Sequence, residues 1–139
     1  MSNQNDETNL DYLLKNMCPV LEDDELVFCS LPHMEAEEYL TLCQSFTVER
    51  EGITLVLGRR LADLNNLPYD LVFKRITLTV YSSLSAVGFL ARITSILAAQ
   101  HISVNVISAF HHDHLYIQSH QAEEVLKTLQ LWQDKLIDR

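Results

Sequence analysis

The sequence predicts an α+β fold of two consecutive βαββαβ-like units, each with an antiparallel sheet and its helices on one side. Three observations lead there. Apolar residues switch repeatedly between a two-residue and a 3.6-residue period along the chain. Residues 24–74 read β-α-β-β-α-β, and residues 75–133 repeat that order as far as the second helix. The most regular stretch reads ITLTVY, SSLSAVGFLARITSILAAQ and HISVNVIS over residues 76–108, which is a strand, a helix and a strand.

The elements follow in order. Residues 1–23 form an N-terminal extension: a polar, frayed end at 1–7, then a short amphipathic helix marked by Leu10, Leu13, Leu14 and Met17 and ended by Pro19. Glu22–Glu25 is an acidic, solvated turn. The first unit, 24–74, opens with a strand in which Leu26, Phe28 and Ser30 alternate with Val27 and Cys29, closed by Leu31–Pro32. Glu35–Cys43 reads as a short helix. Phe46 and Val48 share one face of a strand that turns at Arg50–Glu51–Gly52 into Ile53, Leu55 and Leu57. Arg59–Asn66 is a helix with Leu61 and Leu64 facing inward.

Asp70–Tyr81 reads as one long strand region. Its apolar phase changes from Leu71 and Phe73 to Ile76, Leu78 and Val80, which sets the unit boundary near Lys74–Arg75. In the second unit, 75–139, Ala86, Leu90, Ile93 and Leu97 recur at helical spacing, while Gly88, Arg92 and Ser95 fall on another side. Gly88 lies in the first turn of that helix. Ile102, Val104 and Val106 then alternate with Ser103 and Asn105. Leu115–Ile117 is the return strand, and Val125, Leu126, Leu129 and Trp132 mark a packed helix. Asp134–Arg139 is too short and charged for a last strand, so the edge at Ile76–Val80 lacks a partner. Either Leu26–Leu31 or the equivalent strand of a second subunit is expected to cover it.

A helix that opens at the small-residue turn containing Gly88 leaves backbone N–H groups without internal acceptors. Such a spot suits a carboxylate and needs no catalytic side chain. A plain β-α-β core without a site is the alternative.

The run from Ile76 to about Leu129 resembles an ACT domain, closest to the aspartate-kinase type. The residues that carry the likeness are the strand Ile76–Tyr81, the loop Ser82–Gly88, the helix through Ala99 and the segment His101–Val106. Residues 24–132 resemble a family of short stand-alone bacterial proteins with two ACT-like units. The shared marks are Phe28–Cys29, Leu67–Pro68–Tyr69–Asp70 and His112–Asp113–His114–Leu115. The resemblance implies tandem ferredoxin-like units and a non-enzymatic regulatory protein that binds an amino acid or a similar small carboxylate where ACT units meet. It implies a site built on Ser83, Ser85, Ala86, Val87 and Gly88, with Asn105, Val106, Ile107 and Ser108 and with His112 and His114. The chain departs from the family in one place. Many ACT domains carry an acidic residue and a proline where this chain has Ser82–Ser85, so any grip on a ligand amine must come from elsewhere.

Other constellations offer alternatives. The spacing puts His112 and His114 on one side of an extended chain, where with Asp113 they offer two nitrogens and an oxygen to a metal. The same residues also read as a polar hairpin tip, or as a hydrogen-bonding pair whose charge depends on pH near neutrality. Arg92 reads as a carboxylate partner or as a solvated arginine. The metal protein and a pure interaction module that captures a strand are the competing readings. No metal and no cofactor is expected under the first reading.

Composition excludes several classes. The formal charge of −9 argues against nucleic acid and anionic membrane partners. Gly52, Gly58 and Gly88 are the only glycines and cannot build a P-loop or a dinucleotide fingerprint. No GxSxG, HExxH or CxxC motif is present, so no enzyme active site is expected. Three well-spaced cysteines, a polar N-terminus without a leader pattern and no long apolar run predict a cytoplasmic protein. A homodimer is the preferred assembly.

Overall fold

The computed structural model of the protein describes residues 9–138. The polar end expected at 1–7 lies outside the described residues. In chain order the elements are α1 (Leu10–Lys15), β1 (Pro19–Leu21), β2 (Leu26–Leu31), α2 (His33–Ala36), β3 (Ser45–Val48), β4 (Ile53–Gly58), α3 (Arg59–Leu64), β5 (Val72–Leu78), α4 (Phe89–Ala99), β6 (Val104–Ser108), β7 (Asp113–Gln118) and α5 (Ala122–Ile137). Short 3-10 turns follow α2 at Glu37–Tyr39 and precede α5 at Ser119–Gln121. Two compact units result, one of residues 23–74 and one that joins 9–22 to 75–138. The expected α+β class of antiparallel ferredoxin-like units holds.

In the unit of residues 23–74, β4 pairs with β3 on one side and β2 on the other, and Leu26 and Val27 of β2 pair with Phe73 and Val72 of β5. Val27, Cys29 and Leu31 face the same core as Ile53, Leu55 and Leu57, and Ala36, Tyr39 and Ala62 close it. Phe46 and Val48 alternate along the edge strand β3, as expected, and both are exposed. Two expectations need correction. The helix expected over Glu35–Cys43 begins at His33 and tightens to 3-10 at Glu37. Leu64 is 75% exposed, and Ala62 takes the buried position of α3.

In the other unit, β5 lies between β1 and β7, and β6 forms the far edge. The core holds Leu13, Leu14 and Met17 from the N-terminal segment with Ile76, Leu78, Ile93, Leu97, Leu115, Ile117, Val125 and Leu129. Trp132 packs partly buried against it, as expected. Leu26–Leu31 reaches β5 only at Val72 and Phe73, so it does not cover the edge at Ile76–Leu78. Pro19, Val20 and Leu21 of β1 pair with Leu78, Thr77 and Ile76. An adjoining clamp fixes this register: the Arg75 guanidinium bonds both Glu22 carboxylate oxygens, at 2.8 and 2.9 Å, and the Glu22 N–H donates to the Arg75 carbonyl at 3.0 Å. The missing last strand thus comes from the start of the chain.

The apparent phase change in β5 also dissolves. Leu71 precedes the strand and is exposed. Phe73 meets the Phe28 ring edge-on, with centroids 5.1 Å apart. Val72, which packs on the first core, keeps even-numbered phase with Ile76 and Leu78, which pack in the second. The strand ends at Leu78, not at Tyr81.

Candidate functional site

Beyond Leu78 the chain leaves the sheet but is held by the N-terminal segment. The Thr79 N–H donates to the Met17 carbonyl at 2.8 Å, and its hydroxyl to the Cys18 carbonyl at 2.9 Å. The loop then folds on itself through short serine bonds. Ala86 N–H donates to the Ser83 carbonyl at 2.9 Å and Ser85 N–H to the Ser83 hydroxyl at 3.2 Å. Gly88 ends the loop in the left-handed region, with φ of +89°. An added Cβ would meet only Leu10, at 3.6 Å, so conformation and not space selects glycine.

Gly88 is also the N-cap of α4, not a residue of its first turn, and it brings no side-chain cap. The first helical bond runs from Arg92 N–H to the Gly88 carbonyl, at 3.1 Å. The N–H groups before it have no acceptor within the helix. They belong to residues that face a cavity of about 150 Å³. Its walls are Ser82, Ser83, Leu84 and Ala86 of the loop, Gly88 to Ala91 at the head of α4, and Ser108 and Asp113 of the β6–β7 hairpin. That volume is near the share of about five liquid waters, which suits a very small metabolite and not a nucleotide.

The hairpin supplies the buried polar wall. Asp113 opens β7 on the face it shares with Leu115 and Ile117, and only 6% of it is exposed. The buried Ser82 hydroxyl donates to its Oδ2 at 2.8 Å. An acid on the core-facing phase of a strand is the signal in the sequence that points to this wall.

Of the expected residues, Ser83, Ala86, Gly88 and Ser108 line this cavity. Ser85 and Val87 lie exposed on its loop but outside the lining, and Asn105, Val106 and Ile107 lie in β6 away from it. Ser82, Leu84, Phe89, Leu90, Ala91 and Asp113 were not among the expected ligand residues. Arg92 is exposed and does not line the cavity.

His112 and His114 form a separate cluster. Their rings lie 6.3 Å apart, and His112 stacks on Tyr81 at 5.0 Å and 25°. His114 Nδ1 and the Thr77 hydroxyl are hydrogen-bonded at 2.9 Å. Among the described residues no group of three His, Cys, Asp or Glu side chains is arranged to hold a metal ion. Burial, helped by the Arg75 charge, lowers the His114 pKa below its ordinary 6.5. The folded state therefore holds the ring neutral more firmly than the unfolded state does. This contribution is intact above about pH 6.5 and is lost as pH falls through that value toward the folded pKa. Melting temperature measured at pH 7.5 and 5.5 is expected to fall less in His114→Gln than in the wild type. An equal fall in both would remove His114 as the cause.

A second, open cleft of about 650 Å³ lies in the 23–74 unit, between Asp23–Leu26 and Gly58–Arg60. Its Arg59 is already engaged by Glu25 at 3.1 Å and by the Tyr69 hydroxyl at 3.2 Å. No helix of the described residues is long and apolar enough to cross a membrane.

The comparisons with known proteins agree on the family. One sequence profile described as an ACT domain matches residues 5–74, and a second, also an ACT domain, matches residues 74–130. No curated protein matches the chain. A crystal structure from Vibrio cholerae, described as a protein of unknown function and possible transport protein, is 36% identical. The alignment covers 91% of this chain and 97% of that one, with a TM-score of 0.80. A protein from Agrobacterium tumefaciens is 16% identical over 83% of this chain and 87% of its own, with a TM-score of 0.68. The regulatory subunit of aspartate kinase from Thermus flavus is 10% identical over 82% and 95%, with a TM-score of 0.61. The last two are likenesses of fold.

Proposed function

The chain belongs to the ACT domain family, and on that premise we propose that it is a non-enzymatic regulatory protein that binds a small amino acid in the cavity at the head of α4. ACT domains are ligand-binding regulatory modules, so the coarse role comes with the family. One observation carries the finer reading. The uncapped N-terminus of an 11-residue helix faces a small cavity whose walls are serine hydroxyls, small residues, the apolar Leu84, Phe89 and Leu90, and one buried carboxylate. Its free N–H groups and positive dipole end suit a carboxylate. Leu84, Val87 and Phe110 are all more than 60% exposed, on the cavity loop and the hairpin. That apolar fringe supports a homodimer that covers the mouth. The three free thiols support a cytoplasmic location.

A regulatory protein of this kind works by differential affinity: the ligand shifts the population toward whichever state binds it better. A thermal-shift panel of the amino acids and short carboxylates is the direct test. At a hundred times its Kd a ligand adds about 2.7 kcal/mol of stability, which is easily read as a rise in melting temperature. At least one small amino acid is expected to give it. A panel with no riser at millimolar concentration would sink the reading. Light scattering tests the dimer separately: a monomer at every concentration, with and without the ligand, would remove it.

A further inference from the structure

We propose that Asp113, steadied by Ser82, is the group that selects an amine-bearing ligand in this cavity and rejects the same carboxylate without its amine. The inference rests on the reading of the cavity as a small-carboxylate site and goes on to say which chemistry it prefers. Two features of opposite sign share one small space. The head of α4 offers N–H groups without helical acceptors and the positive end of the dipole. Asp113 offers a carboxylate that is 94% buried, since 6% of it is exposed. The Ser82 hydroxyl serves its Oδ2, at 2.8 Å. Among the described residues no lysine, arginine or histidine forms an ion pair with it. A buried carboxylate that meets one neutral hydroxyl and no cation has acceptor capacity left for a cationic ligand group.

The consequence for selectivity follows from charge alone. A simple carboxylate gains at the helix head and loses by repulsion from Asp113, because like charges in a small desolvated space disfavour each other. A zwitterion gains at both ends: its carboxylate faces the helix and its ammonium compensates Asp113. It is also neutral overall, so the chain's formal charge of −9 does not oppose its approach. A cavity of about 150 Å³ limits the side chain to a few atoms. The ligand class is therefore a small α-amino acid, with its hydroxy-acid counterpart excluded. A site that hydrogen-bonds a ligand N–H group discriminates strongly, since the analogue leaves the buried partner unmatched.

The test uses the full-length chain and three matched pairs: glycine and glycolate, L-alanine and L-lactate, L-serine and L-glycerate. Calorimetry on the wild type is expected to show at least one amino acid bound tenfold or more tightly than its hydroxy partner. Asp113→Asn keeps the shape and can still accept from Ser82, so it is expected to weaken that amino acid tenfold or more and to tighten the hydroxy acid, whose repulsion it removes. Equal affinity for both members of every bound pair in the wild type overturns the amine selection while leaving a carboxylate site standing. An undiminished preference in Asp113→Asn overturns the role of Asp113. If no member binds, the underlying reading falls and this inference falls with it. Should circular dichroism show Asp113→Asn unfolded, Ser82→Ala decides: a smaller amino-to-hydroxy ratio supports the assignment, and an unchanged ratio overturns it.

Discussion

Removal of residues 1–23 is expected to abolish cooperative folding of the unit built on residues 75–138. The segment is short, but it is not an appendage. Leu13 and Met17 are fully buried and Leu14 is 6% exposed, all in the core that also holds Ile93 and Leu129. Burying a side chain of this kind contributes roughly 1.5–3 kcal/mol, so the three together contribute about 5–9. A domain's whole stability is on the order of 5–15 kcal/mol. Truncation also uncovers the edge of β5 from Leu78 back to Ile76 and takes away Glu22, the partner of Arg75. An uncompensated, partly buried guanidinium and a bare apolar edge both favour unfolding or aggregation. Trp132 is the only tryptophan and packs against this core, so its fluorescence reports the outcome. The truncated chain is expected to show solvent-exposed emission and no sharp thermal transition from this unit. A truncated protein that melts cooperatively within a few degrees of the full chain would refute the structural role. The amino-acid response should vanish with the fold, because Thr79, where the cavity loop begins, is anchored on Met17 and Cys18.

Much of the architecture was legible because period and chain direction decide it. Ile53, Leu55 and Leu57 alternate toward one core, and Ile93 and Leu97 lie one helical turn apart in another. Long-range pairing was the part that period cannot show. Pro19–Leu21 has three residues and no alternation to read, yet it fills the edge for which Leu26–Leu31 or a second subunit seemed the candidate. Phe73 misled for a related reason. Its burial comes from a ring contact with Phe28, so parity counted from Phe73 gave a false phase shift beside Val72. The candidate cavity was half legible. Small residues before Phe89 announce a helix start open to a ligand, and Ser83, Ala86, Gly88 and Ser108 do reach one cavity. Asp113 reaches it from a different strand, and only the β6–β7 register, with Ser108 opposite Asp113, brings the two walls together. The histidines beside it drew attention as metal ligands, whereas the alternation of β7 sends His114 to Thr77 and Asp113 to Ser82.

Glycine substitutions separate space from conformation, and the second large effect is expected at Gly52. This residue sits in the turn between β3 and β4, where its carbonyl accepts from Glu49 N–H at 2.8 Å. A Cβ built there would lie 2.5 Å from the Leu31 carbonyl oxygen and 3.3 Å from its carbon. Both atoms are backbone, at the end of a strand paired with β4 through Leu31 and Ile53. They cannot swing aside as a side-chain tip can. Gly52→Ala must therefore displace the turn or break the last rung of that ladder, at a cost of about 1–3 kcal/mol. For a chain of this size that is a fall in melting temperature on the order of 5–10 °C. Gly58, at the far end of β4, supplies the control. Its φ of −58° is ordinary and a Cβ would meet nothing within 4 Å. Gly58→Ala is expected to be neutral, or to stabilise by a few tenths of a kcal/mol through the unfolded chain. Thermal melts of the two variants side by side check the pair. Equal effects at the two positions would mean that the approach of Gly52 to Leu31 places no constraint on the β3–β4 turn, and that loss of glycine flexibility alone sets the cost.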